Sequence, residues 1–220
     1  MPRVVLSRPL FPNPHARAGS LWRGLRVGLL GGSFNPAHDG HRHISLAALR
    51  RLRLDAVWWL VSPQNPLKAT AGMATLGERM ADARWVSRRD PRIVVTDIED
   101  RLATRFTADT LGRLKAAFPA TRFVWLMGAD NLAQIPRWHR WHEIFTDMPV
   151  AVFDRGSYAR SAPFGQAATR FAGRRLAIGE AGHLAGRQPP AWVYLTIVRH
   201  PASATRIRRR RRARRLFERG

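Results

Sequence analysis

Six short runs of apolar, β-branched and aromatic residues recur along this chain, and the intervals between them carry helical spacing. The runs cover residues 25–30, 56–61, 92–96, 122–127, 150–153 and 192–196. Between them Ile44, Ala48 and Leu52 repeat at the interval of one helix face, as do Leu111, Leu114 and Phe118, with Thr107 where an N-cap would stand. Strands that alternate with helices cannot pair through tight hairpins. They need crossovers, so the expected fold is α/β: a Rossmann-like, doubly wound, mostly parallel sheet in a single domain. In such sheets ligands gather beyond the carboxyl ends of the strands, where loops and helix N-termini converge.

The ends of the chain read differently. Residues 1–24 hold Pro2, Pro9, Pro12 and Pro14 without apolar periodicity and are expected to form a flexible extension. Residues 25–208 carry the strand and helix pattern, and residues 209–220 form an arginine-rich tail. Residues 157–190, rich in Gly, Ala and Arg, suggest loop or short helices. The net charge of +23 is concentrated at these ends, with ten arginines against Glu218 after residue 198. Such a balance suits polyanions, nucleotides and nucleic acids alike. Arg8, Pro9 and Pro12 interrupt the apolar start that a leader would need, and no run approaches the ~18 apolar residues of a membrane span. With no cysteine, disulfides and thiolate metal sites are excluded, and a cytoplasmic enzyme with no membrane partner is expected.

The first run ends in Gly31, Gly32, Ser33, Phe34, Asn35, Pro36, Ala37, His38, Asp39, Gly40 and His41. The glycines let backbone approach a ligand, and the helix carrying Ile44 follows, so its first-turn amides face an anion. His38 and His41 can add ring N–H donors. Two blander readings stand beside this one: a Gly/Pro turn with capping histidines, and a zinc site from His38, His41 and His43 that lacks the HExxH pattern.

This segment resembles the G-x-F-D-P-x-H-x-G-H signature of the nucleotidylyltransferase superfamily, with Asn35 where aspartate is common. The resemblance implies a Rossmann-like fold in which His38 and His41 act on the ATP phosphates, while Gly31, Gly32, Ser33, Phe34 and Gly40 lie at the nucleotide. It extends along the chain. The proline-bounded loop from Ser62 through Pro66 to Lys68 resembles a family loop with a basic catalytic residue, a solvated lysine being the alternative. Phe106, Thr107, Ala108, Asp109, Thr110 and Leu111 resemble the Y-T-x-D-T-L segment of bacterial nicotinate-nucleotide adenylyltransferases, although helix capping by Thr107 and Asp109 would explain both residues. Gly128 and Asp130 are similar to the G-x-D segment that holds the adenosine ribose, an N-cap being the alternative. Trp138 matches the aromatic set against the nicotinate ring, with core packing as its alternative; His139 and His142 are assigned to the surface. Ser203, Thr205 and Arg208 resemble the second signature, I-S-S-T-x-I-R, in which hydroxyls and a guanidinium meet phosphates.

The family thus implied transfers AMP from ATP to nicotinate mononucleotide, giving deamido-NAD and pyrophosphate. The attacking phosphate is already anionic, so alignment and charge stabilisation suffice. Mg2+ is expected on the ATP oxygens, with no protein metal ligand, because no carboxylate cluster offers a cage. The alternatives are a nicotinamide-mononucleotide or pantetheine-phosphate adenylyltransferase and, from a different class, a basic nucleic-acid-binding protein, for which no binding motif is present. The sequence leaves oligomeric state open.

Overall fold

A computed structural model describes residues 20–63, 73–154, 162–198, 200–202 and 204–208. All six anticipated strands form: β1 (Arg26–Gly32), β2 (Ala56–Val61), β3 (Ile93–Thr96), β4 (Arg122–Gly128), β5 (Val150–Asp154) and β6 (Trp192–Thr196). They make one sheet in the order β3-β2-β1-β4-β5-β6, and every pair is parallel. "Mostly parallel" therefore sharpens to wholly parallel. Strand order reverses between β1 and β4, so their carboxyl ends flank the crevice where such folds bind ligands.

The helices are α1 (Asp39–Arg51), α2 (Leu76–Ser87), α3 (Ile98–Arg101), α4 (Thr107–Ala117), α5 (Ala129–Gln134), α6 (Trp141–Asp147) and α7 (Gln166–Arg170). They divide between the two faces. Ile44 and Ala48 of α1 and Met80 and Ala83 of α2 pack on one face with Leu184, while Leu111, Leu132, Ile144 and Ala167 bring α4 to α7 onto the other. Strand β2, all of whose residues are buried, serves both layers: Trp58 and Leu60 join one, and Val57, Trp59 and Val61 join the other. That is the side-chain alternation of a strand covered on both faces. Residues 162–186 form α7 and short 3-10 turns, as their composition suggests. No helix among the described residues is long and apolar enough to cross a membrane.

Two sequence expectations change. Residues 20–24, the described part of the segment expected to be a flexible extension, pack against the fold. Trp22 is fully buried, its ring edge-on to Trp58 at 4.7 Å, and its carbonyl accepts from Thr121 Oγ1 at 2.9 Å. One large apolar side chain among prolines and arginines has no periodicity to reveal it, yet it buries enough area to anchor its segment. Second, Thr107 is the first residue of α4 rather than its cap: Phe106 holds the N-cap position in extended conformation, without a side-chain capping bond.

Candidate active site

Strand β1 delivers Gly31 and Gly32 to the crevice. A Cβ at Gly31 would lie 2.5 Å from the Trp125 ring, so only glycine lets β1 pass that indole. The chain then turns through Phe34, whose φ of 46° is unusual for a residue with a Cβ. The resemblance puts Phe34 at the nucleotide, whereas its ring is 2% exposed and stacks on Trp59 at 5.1 Å. Its side chain belongs to the core beneath the loop, because a large ring gains more from burial than from a water-filled cleft. Asn35 shapes the loop: its Oδ1 accepts from Ala74 N at 3.4 Å, and its carbonyl accepts from Arg208 Nη1 at 2.6 Å. That second bond brings the distant arginine signature onto the glycine loop, with Arg208 Nη2 also 3.4 Å from Thr205 Oγ1. Residues 204–208 are helical. Lys68 and Ser203 lie outside the described residues.

His38 and His41 meet at the start of α1. His38 is the N-cap, and its Nδ1 accepts from Gly40 N at 3.1 Å; His41 Nδ1 accepts from His38 N at 3.2 Å, and the two rings stack at 3.9 Å. The histidines therefore cap α1 and each other. With each Nδ1 held as an acceptor, a neutral ring carries its proton on Nε2. The turn is braced from below: Ser45 Oγ donates to His41 O at 2.9 Å, and Trp59 Nε1 donates to Ser45 Oγ at 2.8 Å. Gly40 is required here, since a Cβ would lie 2.8 Å from His38 Nδ1 and 3.2 Å from Ala202 O. His43 takes no part; its Nε2 is 2.8 Å from Val198 O.

Beside the glycine loop opens a cavity of about 420 Å³. Gly31, Gly32 and Ser33 form its floor, and Thr107 and Trp138 its walls. Trp138 also packs against the core, as its alternative reading has it. Sequence reasoning missed several lining residues. Ser62 comes from the end of β2, Asn131 from α5, Arg105 and Phe106 from the turn before α4, and Arg137 from the turn before Trp138. His139, assigned to the surface, is exposed but borders the cavity with its ring 4.5 Å from Phe106. Glu99 of α3 also lines it. This carboxyl is 8% exposed, and burial pushes it up to about 7, partly offset by hydrogen bonds to the Ser62 and Thr110 side chains. The walls are thus aromatic, with arginines set against one carboxyl drawn towards its neutral form. Such a site suits a flat, anionic ring.

Asp109 is not in this cavity. It borders a neighbouring groove and pairs with Arg140 at 3.0 Å; Arg140 also bonds Glu143, Nε to Oε1, at 2.7 Å. Arg140 has a φ of 49°, a left-handed residue held by two carboxylates, and it follows Trp138 and His139 directly. Asp109 thus touches the loop that carries Trp138 through Arg140, and it shares α4 with Thr107, which lines the cavity. Gly128 ends β4 and is the extended N-cap of α5, which makes Asp130 a first-turn residue rather than the cap; neither lines the cavity.

The described residues contain no group of three or more histidines and carboxylates able to hold a metal ion. A nucleotidyltransferase acting on ATP generally works with a divalent metal, and here the phosphates would be its main ligands.

Similarity to known proteins agrees with this geometry. The cytidylyltransferase-like family profile matches residues 29–210. A protein of Parvibaculum lavamentivorans (strain DS-1) named "Probable nicotinate-nucleotide adenylyltransferase" is 52% identical over 195 residues, covering 89% of this chain and 96% of its own. One of the same name from Cereibacter sphaeroides (strain ATCC 17025) is 55% identical over 185 residues, covering 83% and 96%. Plasmodium falciparum nicotinic acid mononucleotide adenylyltransferase complexed with NaAD shares the fold, with a TM-score of 0.63 at 15% identity over 84% of this chain and 83% of that one. The same enzyme complexed with APC gives 0.61 at 14% identity over the same shares. The chain, from its histidine-capped glycine loop to the arginine that closes on it, belongs to the nicotinate-nucleotide adenylyltransferase family, within the cytidylyltransferase-like proteins.

Proposed function

We propose that this protein joins the phosphate of nicotinate mononucleotide to the α-phosphorus of ATP, giving deamido-NAD and pyrophosphate as a step of NAD biosynthesis. The observation that carries the reading is the reciprocal cap of His38 and His41, which stacks two imidazoles at the N-terminus of α1, next to the glycine loop that lines a cavity with Trp138 and Phe106. An acceptor phosphate oxygen attacks the α-phosphorus, a new P–O bond forms, and the bond to the bridging oxygen of the β-phosphate breaks. The electron pair leaves on pyrophosphate, and no proton must be removed from the attacking group. The protein's share is alignment and charge. His38 and His41 stabilise the oxygens around the α-phosphorus. Gly31, Gly32, Ser33 and Gly40 admit the triphosphate, Lys68, Ser203, Thr205 and Arg208 meet its outer phosphates, and Gly128 and Asp130 hold the adenosine ribose. Thr107 and Trp138 hold the pyridine nucleotide, with Asp109 acting on the Trp138 loop. Mg2+ enters with ATP as part of that substrate, and the setting is the cytoplasm, in keeping with a chain free of cysteine.

The test is pyrophosphate release with ATP and, side by side, nicotinate mononucleotide, nicotinamide mononucleotide and phosphopantetheine. The first should turn over fastest, and preference for either of the others overturns the acceptor assignment. His41→Ala should lower kcat by roughly 10²-fold or more, as loss of one oxyanion donor does. A near wild-type kcat refutes its role.

A further inference from the structure

Arg79, on α2, is among the most buried side chains of the molecule at 1% exposure, yet its hydrogen bonds run to carbonyls. Nε donates to Ala74 O at 3.0 Å, Nη1 to Ser33 O at 2.8 Å and to Ser62 O at 2.7 Å, and Nη2 to Pro63 O at 2.9 Å. Burial lowers its pKa from the ordinary value, but an arginine stays charged in a protein. One guanidinium thus fastens the glycine loop after β1, the exit of β2, and the point where the chain comes back after residues 64–72.

The carbonyl of Ser33 is the telling partner. In a trans peptide the C=O and the following N–H point in opposite directions, so a Ser33 carbonyl fixed on Arg79 turns the Phe34 N–H away from it. Phe34 is the residue with positive φ, a conformation that costs about 1–2 kcal/mol outside glycine and persists only where neighbours enforce it. Its ring is held by Trp59, and the preceding carbonyl is held by Arg79. Arg208 Nη1 holds the Asn35 carbonyl from the other side, although the next residue, Pro36, has no N–H to present. A loop meant for a triphosphate must keep carbonyl oxygens away from the anion and offer amides instead; two guanidiniums tie those oxygens off.

We infer that Arg79 is a positioning residue for ATP: it orients the Ser33–Phe34 peptide and the ends of the 64–72 segment so that the phosphate loop presents donors to the triphosphate. The inference rests on the adenylyl-transfer reading. Its charge, set among carbonyls, adds positive potential beneath the loop. Lysine preserves that charge but brings three donors from one point, and so cannot bridge four carbonyls as a planar fork does.

The experiment is steady-state kinetics of wild type, Arg79→Lys and Arg79→Met with ATP and nicotinate mononucleotide varied in turn, together with amide hydrogen exchange. Arg79→Lys should lose roughly 10-fold and Arg79→Met roughly 10²-fold in kcat/KM for ATP, the cost of a slightly misplaced reacting group. KM for the acceptor should rise less than the loss on the ATP side, since Arg79 does not itself border the acceptor cavity but holds the carbonyls of Ser33 and Ser62, which do. Amides 32–35 should exchange faster in Arg79→Lys, while those of β4 do not. A folded Arg79→Lys chain with ATP kinetics within about twofold of wild type overturns the inference, as does an equal loss towards both substrates. Failure of both variants to fold assigns Arg79 to folding alone and overturns it too. A wild type that is inactive with every acceptor sinks the adenylyl-transfer reading instead.

Discussion

Glu99→Gln should stabilise the protein progressively as pH rises. Burial is the main force on this carboxyl and lifts it from the ordinary 4.5 to about 7, against the pull of its Ser62 and Thr110 hydrogen bonds. The unfolded chain restores the ordinary value. Between the two, native Glu99 keeps a proton that the unfolded state has released, so stability is fullest below 4.5 and declines as pH climbs through 7. At about 1.4 kcal/mol per pH unit the whole effect is about 3 kcal/mol, most of it between about pH 5 and about pH 8. Glutamine cannot ionise, and its amide oxygen still accepts a hydroxyl bond. Urea unfolding of both proteins across that window should show the advantage of Glu99→Gln growing by about 2.5 kcal/mol, or roughly 5–10 °C in Tm. The large basic charge is common to both chains and cancels in the difference. A difference that stays constant to within about 0.5 kcal/mol refutes the buried-carboxyl reasoning.

Two further perturbations test the packing around the site. Trp22→Ala removes a fully buried indole from its edge-on contact with Trp58 and should cost about 3–5 kcal/mol of unfolding free energy, whereas a loss under about 1 kcal/mol means that the segment before β1 is not part of the core. Asp109→Asn breaks the 3.0 Å pair that helps hold left-handed Arg140 beside the Trp138 loop. KM for nicotinate mononucleotide should rise roughly two- to fivefold, less at high salt, with kcat for saturated enzyme little changed; a salt-independent or ATP-side effect would assign Asp109 another role.

What the sequence revealed and what it hid divide along contact distance. β2 reads Ala-Val-Trp-Trp-Leu-Val, and no covering other than two packed layers suits such a run, so the parallel sheet was legible. Residues 31–41 were legible because an anion site built from backbone amides needs only consecutive residues: glycines to bend, a helix to follow, and two histidines three apart that cap it and each other. α2 shows the opposite case. Its buried positions are Arg79, Met80, Ala83 and Ser87, too polar to stand out as an apolar stripe, although Thr75 and Glu78 spell a capping box that could have marked its start. Arg79 meets Ser33 across 46 residues, and Arg140 meets Asp109 across 31. A one-dimensional pattern places an arginine or an aspartate on the surface by default, since nothing near it in the chain supplies a partner. The cavity beside the glycine loop draws its lining from seven separate stretches, so Glu99, Arg105 and His139 carry no shared spacing. Phosphate chemistry thus leaves a signature because it is local, whereas the features that select an acceptor ring and keep the loop in register appear only once the sheet has gathered those segments at one edge.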